Sequence, residues 1–309
     1  MKKQIDGIIR LTRFKEFLCF VVITTLLGAA AGDGKFGWPL IGILVGNWLA
    51  VGFAFMINDV EDAPDDALSP HKAVRNPVSA SLLSPKAARI ASFGVGLLAL
   101  CVFATLGLIP FLLGGFSVVL GFLYSWRLVR FKTLPFLDMA SHCLMLAGLQ
   151  FLSAYFIFSP SFNGKWAFPF VCVMCISLYG ELFNELRDLE GDIKAGLTHT
   201  AVLLGPRITH IIMLVLGMIG IIAGIISIVV VGLIPIWVLL LLAAMAVILV
   251  TPQVLKIRRG KSSLQLQEPL QKPIEIAAAF ALLVQFLVPW ANAFIPLSSI
   301  WAYIIFIAR

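Results

Sequence analysis

The chain has 309 residues, of which 60% are hydrophobic and only 13% are charged. A soluble globular domain has about 45–50% apolar and about 25% charged residues, so this composition excludes an ordinary soluble protein. The formal net charge of +7 follows the distribution of basic residues among the predicted loops, and it gives no reason to expect a nucleic-acid partner.

The apolar residues form blocks of roughly 17–25 residues, the length that an α-helix needs to cross the hydrocarbon core of a bilayer. The alternating short strands of a membrane β-barrel are not found in the sequence. We therefore predict an all-α integral membrane protein. The spans are expected near residues 15–32, 38–57, 88–106, 109–126, 137–158, 166–184, 208–231, 234–251 and 275–293. A shorter apolar tail, 295–308, is either a tenth span or a half-span.

The first predicted span follows a basic segment and ends in Ala29-Ala30-Ala31, as a cleaved signal peptide also does. The basic segment is long, however, and multispan proteins commonly keep their first helix as an anchor. We expect an uncleaved first helix.

Basic residues are divided unequally between the two sides of the predicted membrane. Twenty of the 23 lysines and arginines lie in, or within two residues of, the N-terminal segment and the loops 58–87, 127–136, 185–207 and 252–274. The other three are Lys35, Lys165 and Arg309. The positive-inside rule places the basic loops in the cytoplasm. We expect a multi-pass protein of the cell (inner) membrane whose functional loops face the cytoplasm.

Two segments share one acidic pattern. Residues 58–66, the first acidic motif, read Asn-Asp-Val-Glu-Asp-Ala-Pro-Asp-Asp, and residues 184–192, the second acidic motif, read Asn-Glu-Leu-Arg-Asp-Leu-Glu-Gly-Asp. Both fit Asn-acid-x-x-Asp-x-x-x-Asp, and both follow an apolar span at its predicted cytoplasmic end. Together with Glu181 they contain ten of the sixteen acidic residues. Solvated loop charges stay the alternative interpretation, but the same pattern occurring twice on one side of a membrane favours a shared site.

The spacing within the motifs has a geometric meaning, because residues three, four and seven positions apart share one face of a helix. The carboxylates expected to align are Asp59, Asp62 and Asp66 in the first motif and Glu181, Glu185, Asp188 and Asp192 in the second. Pro64 interrupts helical hydrogen bonding, so we expect Asp66 to lie on an unwound turn.

Aligned carboxylates repel one another and are costly near lipid, so a cation has to compensate them. Mg²⁺ prefers oxygen ligands and also binds substrate phosphates. Two acidic motifs predict at least two ions that hold one diphosphate. The predicted ligands are Asp59, Asp62, Asp66, Glu185, Asp188 and Asp192.

Basic and amide side chains near the motifs are candidates for binding the diphosphate and stabilising it as a leaving group. These candidates are Asn58, Lys72, Arg75, Lys132, Asn184 and Lys194. Lys72 and Arg75 are favoured because they follow the first motif closely. Each basic residue can also serve only as a topology signal, and that interpretation stays open.

At these residues the sequence resembles the UbiA superfamily of intramembrane prenyltransferases. The family's N-D-x-x-D-x-x-x-D motif after its second helix is matched by Asn58, Asp59, Asp62 and Asp66. Its D-x-x-x-D motif after the sixth helix is matched by Asp188 and Asp192. The segment 72–77 is similar to a basic loop of the family, with Arg75-Asn76-Pro77 replacing the commoner Arg-Pro pair. Tyr124-Ser125 resembles the loop after helix four, but Leu128 stands where some members have Lys.

The resemblance covers about residues 10 to 295. It implies one transmembrane domain over 1–309, with motif-bearing pseudo-repeats at about 10–130 and 137–295, and a bundle of about nine helices around a central cavity open to lipid. It also implies Mg²⁺-dependent transfer of an isoprenyl group from a prenyl diphosphate to a lipophilic or aromatic acceptor, with release of pyrophosphate. The catalytic residues so implied are Asp59, Asp62, Asp66, Asp188, Asp192, Lys72, Arg75 and Tyr124.

Two alternatives remain open at the level of sequence. A membrane terpene cyclase would ionise the prenyl diphosphate in the same way and use no acceptor. A cation transporter is a more remote alternative, because the acidic residues lie at the membrane edge rather than at its midplane.

The remaining polar residues receive structural interpretations. Asn47 and Gln150 are expected to form interhelical hydrogen bonds. Asp138 is expected to pair for structure, and the alternative is that it orients Lys132 or helps to receive the acceptor. The histidines show no ligand spacing and are assigned no role; they are His71, His142, His199 and His210.

Overall fold

The computed structural model describes residues 2–68, 70–194, 196–257 and 263–289, and within these ranges it contains helices and no strand. The α-helices are α1 (Lys2–Thr12), α2 (Phe14–Ala31), α3 (Trp38–Asp66), α4 (Pro70–Arg75), α5 (Pro85–Ala104), α6 (Leu108–Ser125), α7 (Leu137–Cys143), α8 (Leu149–Phe158), α9 (Ala167–Lys194), α10 (Thr200–Val229), α11 (Ile236–Ile257) and α12 (Ser263–Leu287).

Nine helical stretches of the described ranges are long and apolar enough to cross a membrane. Their outer faces carry large apolar side chains, with exposed fractions of 64% at Leu214, 65% at Ile221 and 68% at Ile248. Apolar surface of this extent is typical of helices that face lipid. The predicted all-α membrane fold is confirmed, whereas the tail 295–308 lies outside the described residues.

Both motif-bearing helices are longer than the predicted spans. α3 continues through the first acidic motif, and α9 continues through the second. The prediction that Pro64 unwinds the chain before Asp66 is therefore wrong. Pro64 lies in the last turn of α3, where its missing N–H removes a single helical hydrogen bond and little helix follows that its ring could disturb.

Two other spans contain irregular turns that the sequence analysis did not predict. In the fifth span, α7 and α8 are separated by a π-helical segment, Leu144–Gly148. In α10, Gly205 has a φ of 75° and precedes Pro206, which produces a kink. Glycine adopts positive φ readily and proline donates no N–H, so this pair permits a bend inside an apolar helix.

A buried hydrogen-bond network joins α2, α3 and α8. The Asn47 amide donates to Thr25 Oγ1 at 2.9 Å and to the Gln150 carbonyl oxygen at 3.2 Å. Ser153 Oγ lies 3.2 Å from Asn47 Oδ1, and Thr24 Oγ1 lies 3.1 Å from Gln150 Oε1. The predicted interhelical hydrogen bonding by Asn47 and Gln150 is confirmed.

The backbones of α2 and α8 come into direct contact at Gly28. A Cβ atom at this position would lie 2.2 Å from the Phe151 carbonyl oxygen and 3.0 Å from the Phe151 Cα. Because these are backbone atoms, no side-chain rotation can relieve the overlap. Small residues permit such close helix packing in membranes.

We predict that Gly28→Ala destabilises the protein by about 1–3 kcal/mol, since α2 and α8 must move apart to accept the methyl group. Thermal unfolding of the detergent-solubilised protein measures this effect. Gly217→Ala in α10 is the matched control, because nothing lies within 4 Å of its added Cβ. Equal melting temperatures for the two variants would contradict the prediction.

Candidate active site

The two acidic motifs lie at the same end of the helix bundle. Lys72, which follows the first motif, places its Nζ 3.8 Å from Asp192 Oδ1 of the second motif. Near this end, the Tyr124 hydroxyl of α6 donates to Glu181 Oε1 of α9 at 2.7 Å. The opposite end of the bundle carries a separate ion pair, in which Lys165 Nζ lies 2.6 Å from Asp33 Oδ1.

Asp62 of the first motif is compensated by two cationic side chains. Lys132 Nζ lies 2.5 Å from both Asp62 oxygens, and an Arg130 guanidinium nitrogen lies 3.2 Å from Oδ1. Lys132 Nζ also donates to Asn58 Oδ1 at 3.0 Å. The segment between α6 and α7 thus brings together three residues that the sequence predicted for the site: Asn58, Asp62 and Lys132.

The acids of the first motif that point away from its predicted face pair with arginines of neighbouring segments. Asp65 accepts from Arg127 at 2.9 Å and from Arg130 at 2.7 Å. Glu61 lies 3.2 Å from Arg89 of α5. These two acids therefore attach α3 to its neighbours and leave the motif face to the remaining carboxylates.

Asp59 and Asp66 are both buried, but their surroundings differ. The Asn76 amide donates to Asp66 Oδ2 at 2.9 Å and to the Asp59 carbonyl oxygen at 2.7 Å. Asp59 Oδ1 lies 3.4 Å from Arg13, whereas the buried Asp59 Oδ2 forms no hydrogen bond with any described residue. An unsatisfied buried carboxylate oxygen is costly unless a ligand completes it.

His199 links two acids of the second motif. Its Nδ1 lies 3.1 Å from Glu185 Oε2, and its Nε2 lies 3.2 Å from Asp192 Oδ2. Burial lowers the pKa of His199, but the contacts with the Asp192 and Glu185 carboxylates outweigh it and raise the pKa to about 9. The absence of a role for His199 in the sequence prediction was wrong, because its position before α10 brings it back to α9.

Asp138 has a structural function at the start of α10. Its carboxylate accepts the Thr200 N–H and the Thr200 hydroxyl, each at 2.6 Å. The predicted structural pairing of Asp138 is confirmed. Ligand atoms of Asp138, Glu185 and His199 also lie within 4.8 Å of one another, an arrangement that could hold a metal ion.

Several predicted site residues form no contact with the opposite acidic motif or with the cations described above. Asp188 is half-buried on α9, where its Oδ1 lies 3.2 Å from Nε of the adjacent Arg187. Asn184 and Lys194 are exposed on the same helix. Arg75 is also exposed, although its charge acts on the Asp59 carboxylate. Their roles in binding metal or diphosphate stay predictions.

The structure adds residues that the sequence analysis missed. Arg13, at the joint between α1 and α2, contacts Asp59 and Glu16 and lies over the Phe55 ring, 4.8 Å from its centroid. His142, which was assigned no role, lies 2.9 Å from Glu181 and requires the same correction as His199. No local pattern could have identified Arg13, since 46 residues separate it from Asp59.

The residues present fit Mg²⁺ chemically. The first motif offers carboxylate oxygens, which Mg²⁺ prefers, and one of them, Asp59 Oδ2, has no other described partner. In addition, Asp62 attracts two cationic side chains, as expected of a position with strong negative potential.

A sequence model described as the UbiA prenyltransferase family matches residues 21–267. The chain belongs to this family. Its fold is similar to that of a UbiA homolog from Archaeoglobus fulgidus bound to GPP and Mg²⁺, with a TM-score of 0.68, 21% identity, and coverage of 91% of this chain and 99% of that chain. The apo structure of a UbiA homolog from Aeropyrum pernix K1 gives a TM-score of 0.66 at 19% identity, over 86% and 97% of the two chains.

Named relatives of this UbiA family member match over part of their length. A digeranylgeranylglyceryl phosphate synthase of Sulfolobus acidocaldarius is 30% identical over 175 residues, which are 55% of this chain and 58% of the relative. A lycopene elongase/hydratase of Haloarcula japonica is 31% identical over 205 residues, which are 64% and 66% of the two chains. The chain therefore spans less than two thirds of the length of either relative.

We predict that the stability contributed by His199 depends on pH. A folded-state pKa of about 9 against an ordinary value of 6.5 means that this contribution is complete below about pH 6.5 and is lost as the pH rises through 9. In the presence of a chelator, the melting temperature of the wild-type protein should fall more steeply between pH 7 and 10 than that of His199→Gln. Parallel pH dependences for the two proteins would contradict the assignment.

Proposed function

We propose that this UbiA family protein transfers an isoprenyl group from a prenyl diphosphate to a lipophilic acceptor, uses Mg²⁺, and releases pyrophosphate. The observation that carries the proposal is the meeting of two acidic motifs and the cations Lys72, Arg130 and Lys132 at one end of an apolar bundle. Carboxylates suit the metal, and the neighbouring cations suit phosphate oxygens. We place this end of the bundle at the cytoplasmic face, following the distribution of basic residues.

The proposed roles follow the chemistry of each group. Asp59, Asp62, Asp66, Glu185, Asp188 and Asp192 would hold the metal ions. Asn58, Lys72, Arg75, Lys132, Asn184 and Lys194 would bind the diphosphate. Bound Mg²⁺ would supply positive charge that stabilises the diphosphate as a leaving group.

The ion pairs of the site favour an exchange of partners when substrate binds. Lys132 and Arg130 neutralise Asp62 in the structure. A metal–diphosphate complex brings a cation for Asp62 and anionic oxygens for Lys132 and Arg130, so every charged group keeps an opposite partner. Removing one partner from a buried ion pair is strongly unfavourable, whereas replacing it is not.

Tyr124 lies between the charged site and the apolar interior. Its hydroxyl is held by Glu181, which fixes the orientation of the ring. An aromatic ring face stabilises a nearby cation, and a dry apolar interior protects an allylic cation from water. We propose that Tyr124 stabilises the prenyl cation as the carbon–oxygen bond breaks.

The relatives support this proposal and indicate a range of acceptors. Two structures of the Archaeoglobus fulgidus homolog contain Mg²⁺ with either GPP or DMAPP. The named relatives are synthases of digeranylgeranylglyceryl phosphate and a lycopene elongase/hydratase. The acceptor of this chain is accordingly sought first among lipids and carotenoids.

We predict that Asp62→Asn and Asp188→Asn each reduce prenyl transfer by about 100-fold or more, because each removes a charge that holds the metal against the diphosphate. The measurement is Mg²⁺-dependent transfer of a radiolabelled prenyl group, with a panel of acceptors and donor lengths. Glu190→Gln, an exposed acid on the same helix, is the matched control and should retain activity. Full activity in both aspartate variants would refute the site assignment.

Reactions without acceptor separate transfer from its alternatives. Geranylgeranyl diphosphate incubated with the purified protein should give no cyclic hydrocarbon. Cyclic products would show that the protein is a terpene cyclase and would refute the proposed transfer. Metal-dependent release of pyrophosphate from a prenyl diphosphate would exclude a protein that only transports cations.

We predict that Lys132→Gln raises the KM for the prenyl diphosphate about tenfold, since it removes one charge-assisted contact to phosphate. Lys165→Gln is the matched control, because Lys165 forms a similar ion pair with Asp33 at the opposite end of the bundle. Equal KM values for the two variants would contradict the assignment of Lys132 to the diphosphate site.

A further inference from the structure

A second polar cluster lies directly beneath the acidic motifs and consists of Tyr124, His142 and Glu181. Glu181 precedes Glu185 by four residues on α9, so it lies about 6 Å deeper along the helix axis. His142 follows Asp138 by four residues and is likewise one turn deeper on α7. This is the layer where the first carbon of a prenyl chain would lie when its diphosphate is held by the motifs above.

The cluster is almost closed and internally oriented. The exposed fraction is 7% for Glu181 and 15% for the His142 side chain. Glu181 uses one oxygen to accept from Tyr124 at 2.7 Å and places the other 2.9 Å from His142 Nδ1. Both Glu181 oxygens therefore have a polar neighbour, of which Tyr124 is the hydrogen-bond donor and His142 Nδ1 is a close contact without hydrogen-bond geometry.

The free edge of the imidazole carries Nε2. Nδ1 of His142 is buried, so the accessible part of the side chain is the rest of the ring. Among the described residues, none forms a hydrogen bond with His142 Nε2. An imidazole that has a carboxylate beside Nδ1 and no partner at Nε2 can carry its proton on Nδ1 and present a lone pair on Nε2, the arrangement found in general bases.

The backbone beside His142 is also irregular. The π-helical segment Leu144–Gly148 begins directly after α7 and rotates the side chains that follow it about the helix axis. Segments of this kind interrupt regular helical hydrogen bonding and are frequent at functional sites.

We propose that His142 is the general base that removes a proton from a hydroxyl group of the acceptor, with Glu181 orienting the ring; this rests on the proposed prenyl transfer. The allylic carbon–oxygen bond breaks and its electron pair leaves with the diphosphate. A lone pair of the acceptor oxygen forms the new carbon–oxygen bond. The hydroxyl proton moves to His142 Nε2, and the resulting imidazolium is stabilised by the Glu181 carboxylate.

The same cluster restricts the class of acceptor. Its polar groups are an acid, a phenol and an imidazole, and within the described residues no lysine or arginine contacts them. A carboxylate at the reacting end of the acceptor would be repelled by Glu181. A hydroxyl group that donates to Nε2 meets no such repulsion, so we infer that an alcohol oxygen is the reacting atom.

The test compares bond cleavage with transfer in His142→Asn. Asparagine keeps a donor near the position of Nδ1 for Glu181 but has no base in place of Nε2. The donor is geranylgeranyl diphosphate with ¹⁸O in the bridging position, and the acceptor is geranylgeranylglyceryl phosphate, which carries a free hydroxyl. Carbon–oxygen cleavage is followed by scrambling of ¹⁸O in recovered donor and by release of diphosphate.

We expect transfer to fall by about 100-fold in His142→Asn while cleavage changes by less than about threefold, because only the proton acceptor is lost. Added imidazole should restore part of the transfer. Glu181→Gln, of equal size and still able to accept from Tyr124, should change transfer in the same direction and serves if His142→Asn does not fold. His210→Asn is the matched control, because His210 is exposed on α10 and its Nδ1 lies 2.6 Å from the Pro206 carbonyl oxygen of the same helix.

Other outcomes overturn the inference. A folded variant that loses cleavage and transfer in parallel gives His142 a structural role only, and a variant with unchanged transfer removes it from the reaction. Wild-type transfer to lycopene or to a ring carbon of 4-hydroxybenzoate, with none to the hydroxyl acceptor, excludes the proposed acceptor class. Failure of the wild-type protein to cleave any prenyl diphosphate would instead reject the proposed function itself.

Discussion

Charge compensation at one end of an apolar bundle is the constraint on which the rest of this structure depends. Helices α3 and α9 each end in a row of carboxylates, and an uncompensated carboxylate near lipid is strongly unfavourable. The chain meets this constraint with cations from other segments: Lys132 and Arg130 at Asp62, and His199 between Glu185 and Asp192. These contacts decide where the connecting segments lie, because each segment must bring its basic side chain to a particular acid.

The same contacts connect the fold to the candidate active site. The segment between α6 and α7 places its cations beside α3. Asp138, at the start of α7, accepts hydrogen bonds from Thr200, the first residue of α10. Because α10 follows His199, the Asp138 contact also keeps that imidazole beside the second motif. Polar groups that stabilise the helix ends thus hold both motifs in position, and a substitution at Asp138 would disturb the site without touching a substrate.

The sequence was sufficient for the features that depend on local composition. Apolar block length identified the membrane spans, and the spacing of Asp59, Asp62 and Asp66 placed them on one helical face. The partners of these acids were not predictable, because Arg13 and Lys132 come from distant segments and reach the site only through helix packing. His142 and His199 were missed for the same reason, since neither forms a ligand pattern with nearby residues. The prediction of an unwound turn at Pro64 was wrong because the effect of a proline depends on how close it lies to a helix end.

The lysine on Asp62 has a thermodynamic consequence for the proposed reaction. A metal ion arriving alone would have to displace Lys132 and Arg130 from Asp62 and leave both cations beside the new charge. A diphosphate arriving alone would draw Lys132 and Arg130 towards its own oxygens and leave Asp62 without a cation. Each ligand therefore lowers the free energy of binding the other, and linkage makes that coupling equal in both directions. Under the proposed function the two ligands would bind cooperatively, and the resting protein would be loaded mainly by donor that already carries magnesium.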